Sequence, residues 1–237
     1  MRVKTILLGA VMLAALVAGA WFLVSPSINR QADLEQQDEL LDAVMAVIAD
    51  VEAETDVNEE HENNDIDNVV ETTTPDHEPD EQDEPTTQPL VPLDISDFPG
   101  GITPIGILTI ESIDLQLPIM EGIDERELRI APGRIPQTAQ VGEIGNAVII
   151  GHRNYTYGSM FNRLGEMEIG DSFLFQAMDG AIMGFEVFEV LIITPDDQIA
   201  FIQPQDESII TLYTCTPIRE ATFRLLVRAR LIEGGIQ

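Results

Sequence analysis

A thiol, an imidazole and a guanidinium are the side chains whose types and settings could do chemistry together in this chain. Cys215 is the only cysteine among 237 residues, so no intramolecular disulfide can use it. It closes the stretch Thr211-Leu212-Tyr213-Thr214-Cys215 and is followed by Thr216-Pro217. A run of β-branched and aromatic residues ending at Thr-Pro predicts a strand that delivers the sulfur to a rim. A lone cysteine is most simply a small buried apolar residue, whereas a thiolate beside a base is a nucleophile. His152 is the candidate base. It follows Ala147-Val148-Ile149-Ile150-Gly151, another strand-like run, and the remaining histidines, His61 and His77, lie in an acidic tract unsuited to folding. Arg224 stands nine residues beyond Cys215, in Phe223-Arg224-Leu225-Leu226-Val227-Arg228. Alternation predicts Arg224, Leu226, Arg228 and Arg230 on one face, with Phe223, Leu225 and Val227 on the other. Such a face is commonly just solvated, but one of its guanidiniums could hold a developing oxyanion.

The elements that must position these groups are short and extended. Candidate strands lie at residues 105–111, 115–119, 147–151, 172–176, 183–193, 199–202, 209–214 and 222–232, separated by Gly, Pro and Asp. Helical turns fit 125–130 and 159–164. Many short strands with turns between them predict an all-β barrel or sandwich, and the roughly 145 residues from 93 to 237 suffice for one core.

The words Gly151-His152-Arg153, Thr211 to Pro217 and Phe223 to Arg228 together resemble the sortase family, the membrane-anchored cysteine transpeptidases of Gram-positive cell surfaces. The resemblance runs from about 105 to 231 and includes Ile107-Leu108-Thr109-Ile110, Leu117-Pro118-Ile119, Met160-Phe161-Asn162-Arg163-Leu164 and Ile169-Gly170-Asp171. It implies an eight-stranded sortase barrel with Cys215 as nucleophile, His152 as general acid and base, and Arg224 stabilising oxyanion or substrate. It also implies substrates that are surface proteins or pilins with a C-terminal Leu-Pro-x-Thr-Gly-like sorting signal. The acyl group would pass to an amine on a lipid-linked cell-wall precursor or to a pilin lysine. Cys215-Thr216-Pro217 and the nine-residue step to Arg224 are nearest to the pilin-type class C. Ile218 to Phe223 depart from that class, so both acceptors stay open. The loop from 194 to 208 falls where sortases place a substrate-binding wall. No cofactor and no metal are expected.

Charge and hydropathy divide the chain into three parts. Arg2 and Lys4 precede an uncharged apolar run from 6 to 24, long enough at 1.5 Å per residue to cross a hydrocarbon core of roughly 30 Å. Residues 1–31 are therefore expected to be a single-pass anchor, its N-terminus inside and the rest extracytoplasmic at the cell membrane; a cleaved signal peptide is the alternative. Residues 32–92 are expected to hold a short amphipathic helix, from the three- and four-residue spacing of Leu34 to Val51, and then an acidic disordered stalk. That helix could lie on the membrane, pack on the domain or pair with a second copy. Residues 93–237 are the expected catalytic barrel. Acidic residues outnumber basic ones 42 to 12, and nothing basic occurs between Arg30 and Arg126, which argues against nucleic acid as a partner.

Two other functions use the same residues differently. A thiol hydrolase would replace the amine by water. A non-enzymatic surface barrel would leave Cys215 incidental and its labelling independent of His152.

Overall fold

The structure, a computed structural model, describes residues 31–53, 102–153 and 158–232. The expected membrane span, the acidic stalk, His61 and His77 lie outside the described residues. Eight strands form a closed barrel: β1 (Pro104–Ile110), β2 (Leu115–Glu121), β3 (Gly133–Arg134), β4 (Gly145–Ile150), β5 (Ser172–Ala177), β6 (Ile182–Ile193), β7 (Ser208–Thr216) and β8 (Phe223–Leu231). Their order around the barrel is β1-β2-β3-β4-β7-β8-β6-β5. Two of the contacts, β2–β3 and β4–β7, are parallel and the rest are antiparallel.

Alternation sorts the side chains. Leu108, Ile110, Leu117, Ile119, Ala147, Ile149, Phe173, Phe175, Phe185, Val187, Ile210, Leu212, Leu225, Val227 and Ala229 fill the interior. On β8 the expected division holds: Leu225 and Val227 point inward, and Leu226 belongs to a separate cluster on the outside. Phe173 and Phe185 stack with ring centroids 5.6 Å apart.

The helix expected after the membrane span is present as α1, residues 31–53, and its position decides among the three roles. Leu40, Val44 and Ile48 recur every fourth residue and are buried against Ile102, Ile107, Met120, Ile130 and Ala131. Ile107 and Met120 alternate with interior residues of β1 and β2, so α1 covers the outer face of those strands. Each such side chain contributes roughly 2 kcal/mol on burial. Toward its ends, Glu52 accepts from Gln176 (2.9 Å) and Gln37 donates to Met160 Sδ (3.3 Å).

Three local expectations need correction. Residues 199–202 are not a strand: Ile199–Phe201 form a one-turn 3₁₀ helix, because Asp197 Oδ1 accepts from the Ile199 amide and turns the chain. The eighth strand is instead the two-residue β3. Its buried Arg134 donates to Glu121 Oε2 (2.9 Å) and to the carbonyls of Thr138 (2.7 Å) and Ala139 (3.0 Å). The turn expected at 159–164 is non-helical as far as Arg163, and a 3₁₀ turn occupies Leu164–Glu166. The helix at 125–130 does form, as α2 (Glu125–Ile130), with a capping box between Asp124 and Glu127.

Candidate active site

Cys215 lies one residue from the end of β7, free and half-exposed. Ile210 and Leu212 face the interior, so Tyr213 and Cys215 project from the outer wall of the barrel, near its rim. Arg224 is directly opposite Cys215 in the antiparallel β7–β8 ladder. Directly opposite residues share a face, with Cβ atoms about 4.5–5.5 Å apart. Arg224 Nη1 donates to the carbonyls of Ala221 (2.9 Å) and Phe223 (3.0 Å). This engages one nitrogen of its five-donor fork.

His152 arrives by the other side of β7. In the parallel β4–β7 ladder Gly145 pairs with Ser208 and Ile150 with Tyr213, a constant offset of 63 residues. His152 and Cys215 stand at that same offset, just beyond the paired segment. The Gly151 amide donates to the Tyr213 carbonyl (3.1 Å), and Thr214 Oγ1 donates to the Gly151 carbonyl (2.7 Å). His152 itself is exposed, and its carbonyl accepts from the Phe161 amide (3.1 Å). Gly151 is required here by space: a Cβ would lie 2.6 Å from Phe161 Cδ2. The backbone register thus sets Arg224 opposite Cys215 on one side of β7, and His152, two residues past the end of β4, at the matching offset on the other.

Sequence reading passed over two further residues. Arg153 is half-buried and turns back: Nη1 donates to Thr216 Oγ1 (2.7 Å) and Nε to the Asn162 carbonyl (3.3 Å). Its burial lowers the guanidinium's affinity for its proton below the ordinary value. Tyr213 lies half-buried under the 3₁₀ turn between β6 and β7, its ring centroid 6.1 Å from that of Phe201. Burial raises the Tyr213 phenol above its ordinary value, against the opposing charge and hydrogen bonding of Arg224, so it stays neutral. The only trace of either in the text is spelling: Arg153 follows the histidine, and Tyr213 stands two places before the cysteine.

The same 3₁₀ turn forms a wall over Tyr213. Ala200, with Ile199 and Phe201, packs on Ile193, Leu226 and Tyr213. Asn146 Nδ2 anchors the turn through the carbonyls of Ala200 (2.9 Å) and Ile202 (3.2 Å). Ile192, Ile202 and Phe223 are exposed large apolar side chains from the strands and loops bordering this end. Among the described residues no three of His, Cys, Asp and Glu come together to hold a metal ion.

The sequence matches the sortase domain family over residues 108–232. It is 34% identical to sortase D of Bacillus subtilis over 113 residues, which are 47% of this chain and 54% of that protein. The chain spans about half the length of the curated relatives it matches. Among solved structures, a lid mutant of sortase A from Corynebacterium diphtheriae aligns with a TM-score of 0.53 at 28% identity, covering 56% of this chain and 72% of that one. A Clostridium perfringens sortase C, solved with the C-terminal cell wall sorting motif, aligns with a TM-score of 0.51 at 26% identity, covering 55% and 71%.

Proposed function

This chain belongs to the sortase family, and from that premise we propose that it is a membrane-anchored cysteine transpeptidase of surface proteins carrying a Leu-Pro-x-Thr-Gly-like sorting signal. The observation that carries the reading is that His152, two residues beyond β4, keeps with Cys215 the 63-residue offset of the parallel β4–β7 ladder, with Arg224 facing Cys215 across the next ladder.

The chemistry follows from that arrangement. Cys215 Sγ, as thiolate, attacks the carbonyl carbon of the threonine–glycine bond, and the C=O electron pair moves onto oxygen. Arg224 donates to that oxyanion from a fixed position, at no cost in reorganisation. When the intermediate collapses, the C–N bond breaks and protonated His152 gives its proton to the leaving amine. The threonyl thioester is then attacked by a second amine. His152 takes the proton from that nitrogen, and the sulfur departs as thiolate. The acceptor is an amine of a lipid-linked cell-wall precursor or a pilin lysine.

The wall over Tyr213 and Leu226 offers apolar surface for the leucine and proline of the signal. The Clostridium perfringens homologue solved with a sorting motif lends support to that class of substrate. Membrane anchoring is supported by the uncharged run from 6 to 24 behind Arg2 and Lys4, the charge order expected of an anchor whose following domain is exported.

The test is product analysis by mass spectrometry. The full chain is incubated with a sorting-signal peptide, with and without an added amine. The expected product is the threonyl amide of the added amine, absent with Cys215→Ala. Hydrolysed acid as the sole product in the presence of amine would replace the transpeptidase by the thiol hydrolase. Turnover undiminished in Cys215→Ala would remove the mechanism.

A further inference from the structure

Two hydrogen bonds flank the His152–Cys215 pair at one and the same offset. On one side Thr214 Oγ1 donates to the Gly151 carbonyl at 2.7 Å, and on the other Arg153 Nη1 donates to Thr216 Oγ1 at 2.7 Å. Each joins residues 63 apart, as do the paired residues of β4 and β7. The regular ladder with β7 ends at Ile150, two residues before His152, so strand pairing alone stops short of the imidazole. Beyond it the His152 carbonyl accepts from the Phe161 amide (3.1 Å), and the Arg153 bond is the side-chain tie from this segment back to β7. Both threonines flank Cys215 in sequence and are buried, Thr214 at 1% and Thr216 at 8% exposure.

Arg153 has a place made for it. Gly165, in the 3₁₀ turn Leu164–Glu166, lies so close that a Cβ there would be 2.5 Å from Arg153 Nη2. The side chain also donates to the Asn162 carbonyl, tying the segment after the histidine to the end of β7. Among the described residues no carboxylate is within ion-pair distance of it, although Arg134, Arg163, Arg228 and Arg230 each have one. Holding a half-buried cation without a counter-charge is costly, and its contacts lead to the end of the candidate nucleophile's strand.

We propose that Arg153 is a positioning residue for the transfer reaction: its bond to Thr216 Oγ1, made under Gly165, holds His152 level with Cys215. The role rests on the function proposed above but works through His152, since Arg153 contacts the far side of β7 from the sulfur. The groups around Cys215 are His152 and Arg153 from the end of β4, Tyr213 along β7 and Arg224 from β8.

The experiment has two arms, both on the full chain. In the first, Cys215 is alkylated with iodoacetamide across pH, a readout independent of turnover. The wild-type profile should carry a component that disappears in His152→Ala. Arg153→Met and Thr216→Val should lose the same component, and Thr216→Ser, which keeps the acceptor oxygen, should restore it. In the second arm, Arg153→Met should lower kcat about 10–100-fold with KM within about twofold, the cost of a misplaced proton donor. In the His152→Ala background the same change should cost less than about twofold, whereas general destabilisation would cost as much again. Retention of the His152-dependent component in both Arg153→Met and Thr216→Val would overturn the inference, as would its absence from the wild type. Loss of transfer with the alkylation pattern intact would count against the proposed function alone. Should Arg153→Met fail to fold, Thr216→Val and Thr216→Ser carry the same comparison.

Discussion

The two ends of the β7–β8 ladder present the same residue type in different company. At the site end, Arg224 faces Cys215, donates from Nη1 to two main-chain carbonyls and hydrogen-bonds the Tyr213 phenol. Further along, Arg228 faces Thr211 and is paired with Glu189, and Arg230 faces Ile209 with Glu207 at 3.6 Å. Both of these lower guanidiniums also sit over the Phe188 ring, at 5.2 and 4.4 Å from its centroid. A neutralised arginine on this strand is wall. An arginine held by carbonyls and a neutral phenol keeps its charge uncompensated, as the proposed oxyanion role requires. Among the described residues Arg224 has no carboxylate in ion-pair distance, which sets the candidate catalytic end of the strand apart from its structural part.

The largest effect should come from breaking the catalytic end. Arg224→Ala is expected to lower kcat for sorting-peptide transfer about 10²–10³-fold. Arg228→Met should leave it within about threefold, and equal losses would erase the distinction. Next is the other flank of Cys215. Gly151→Ala drives a methyl into the Phe161 ring, so the His152 segment must shift, and kcat should fall about 10–100-fold. Its unfolding free energy should fall by about 1–3 kcal/mol, read from the denaturant midpoint.

Smaller effects sharpen the structural side. Arg228→Met should cost about 1 kcal/mol of stability, since half-exposed Glu189 can rehydrate once its partner is gone. The smallest concerns Arg163, a neutralised arginine near the catalytic end. The hydrogen bond from Arg163 holds the exposed Glu166 carboxyl below its ordinary range, its charge adding to the effect against slight desolvation. A carboxyl depressed in the folded state stabilises above its unfolded value and loses that contribution as the pH falls through the folded one. Glu166→Gln should therefore lose less thermal stability than the parent between neutral and acid solution. An identical acid dependence in both would show that the pair contributes nothing.

The motifs were legible because catalysis needs particular atoms, and rare side chains carry them. One cysteine, one histidine outside the acidic tract and an arginine on an alternating strand left few combinations. Most strands were legible from β-branched runs, and α1 from the four-residue spacing of Leu40, Val44 and Ile48. The failures have specific causes. Ile199-Ala200-Phe201 is as apolar as a strand, yet it lies across Tyr213 and Leu226 as a turn, because burial on an outer wall requires no ladder. Gly133–Arg134 has two residues and no periodicity to read, and its place depends on Arg134 reaching Glu121 and the Thr138 and Ala139 carbonyls. Arg153 looked like the third letter of a motif, and its contact with Thr216 spans 63 residues.

By itself the chain's text determined which side chains could react, that they would sit on strands, and that Arg224 would share a face with Leu226 rather than Leu225. Those are properties of residue type and two-residue alternation, both local. Tertiary structure alone decided that β4 and β7 run side by side in parallel, that His152 and Cys215 stand at one offset, and that α1 lies against β1 and β2. These depend on pairings between residues far apart in the chain. Such pairings are selected by how the whole set of apolar faces closes around one core, a condition that no single stretch of sequence contains.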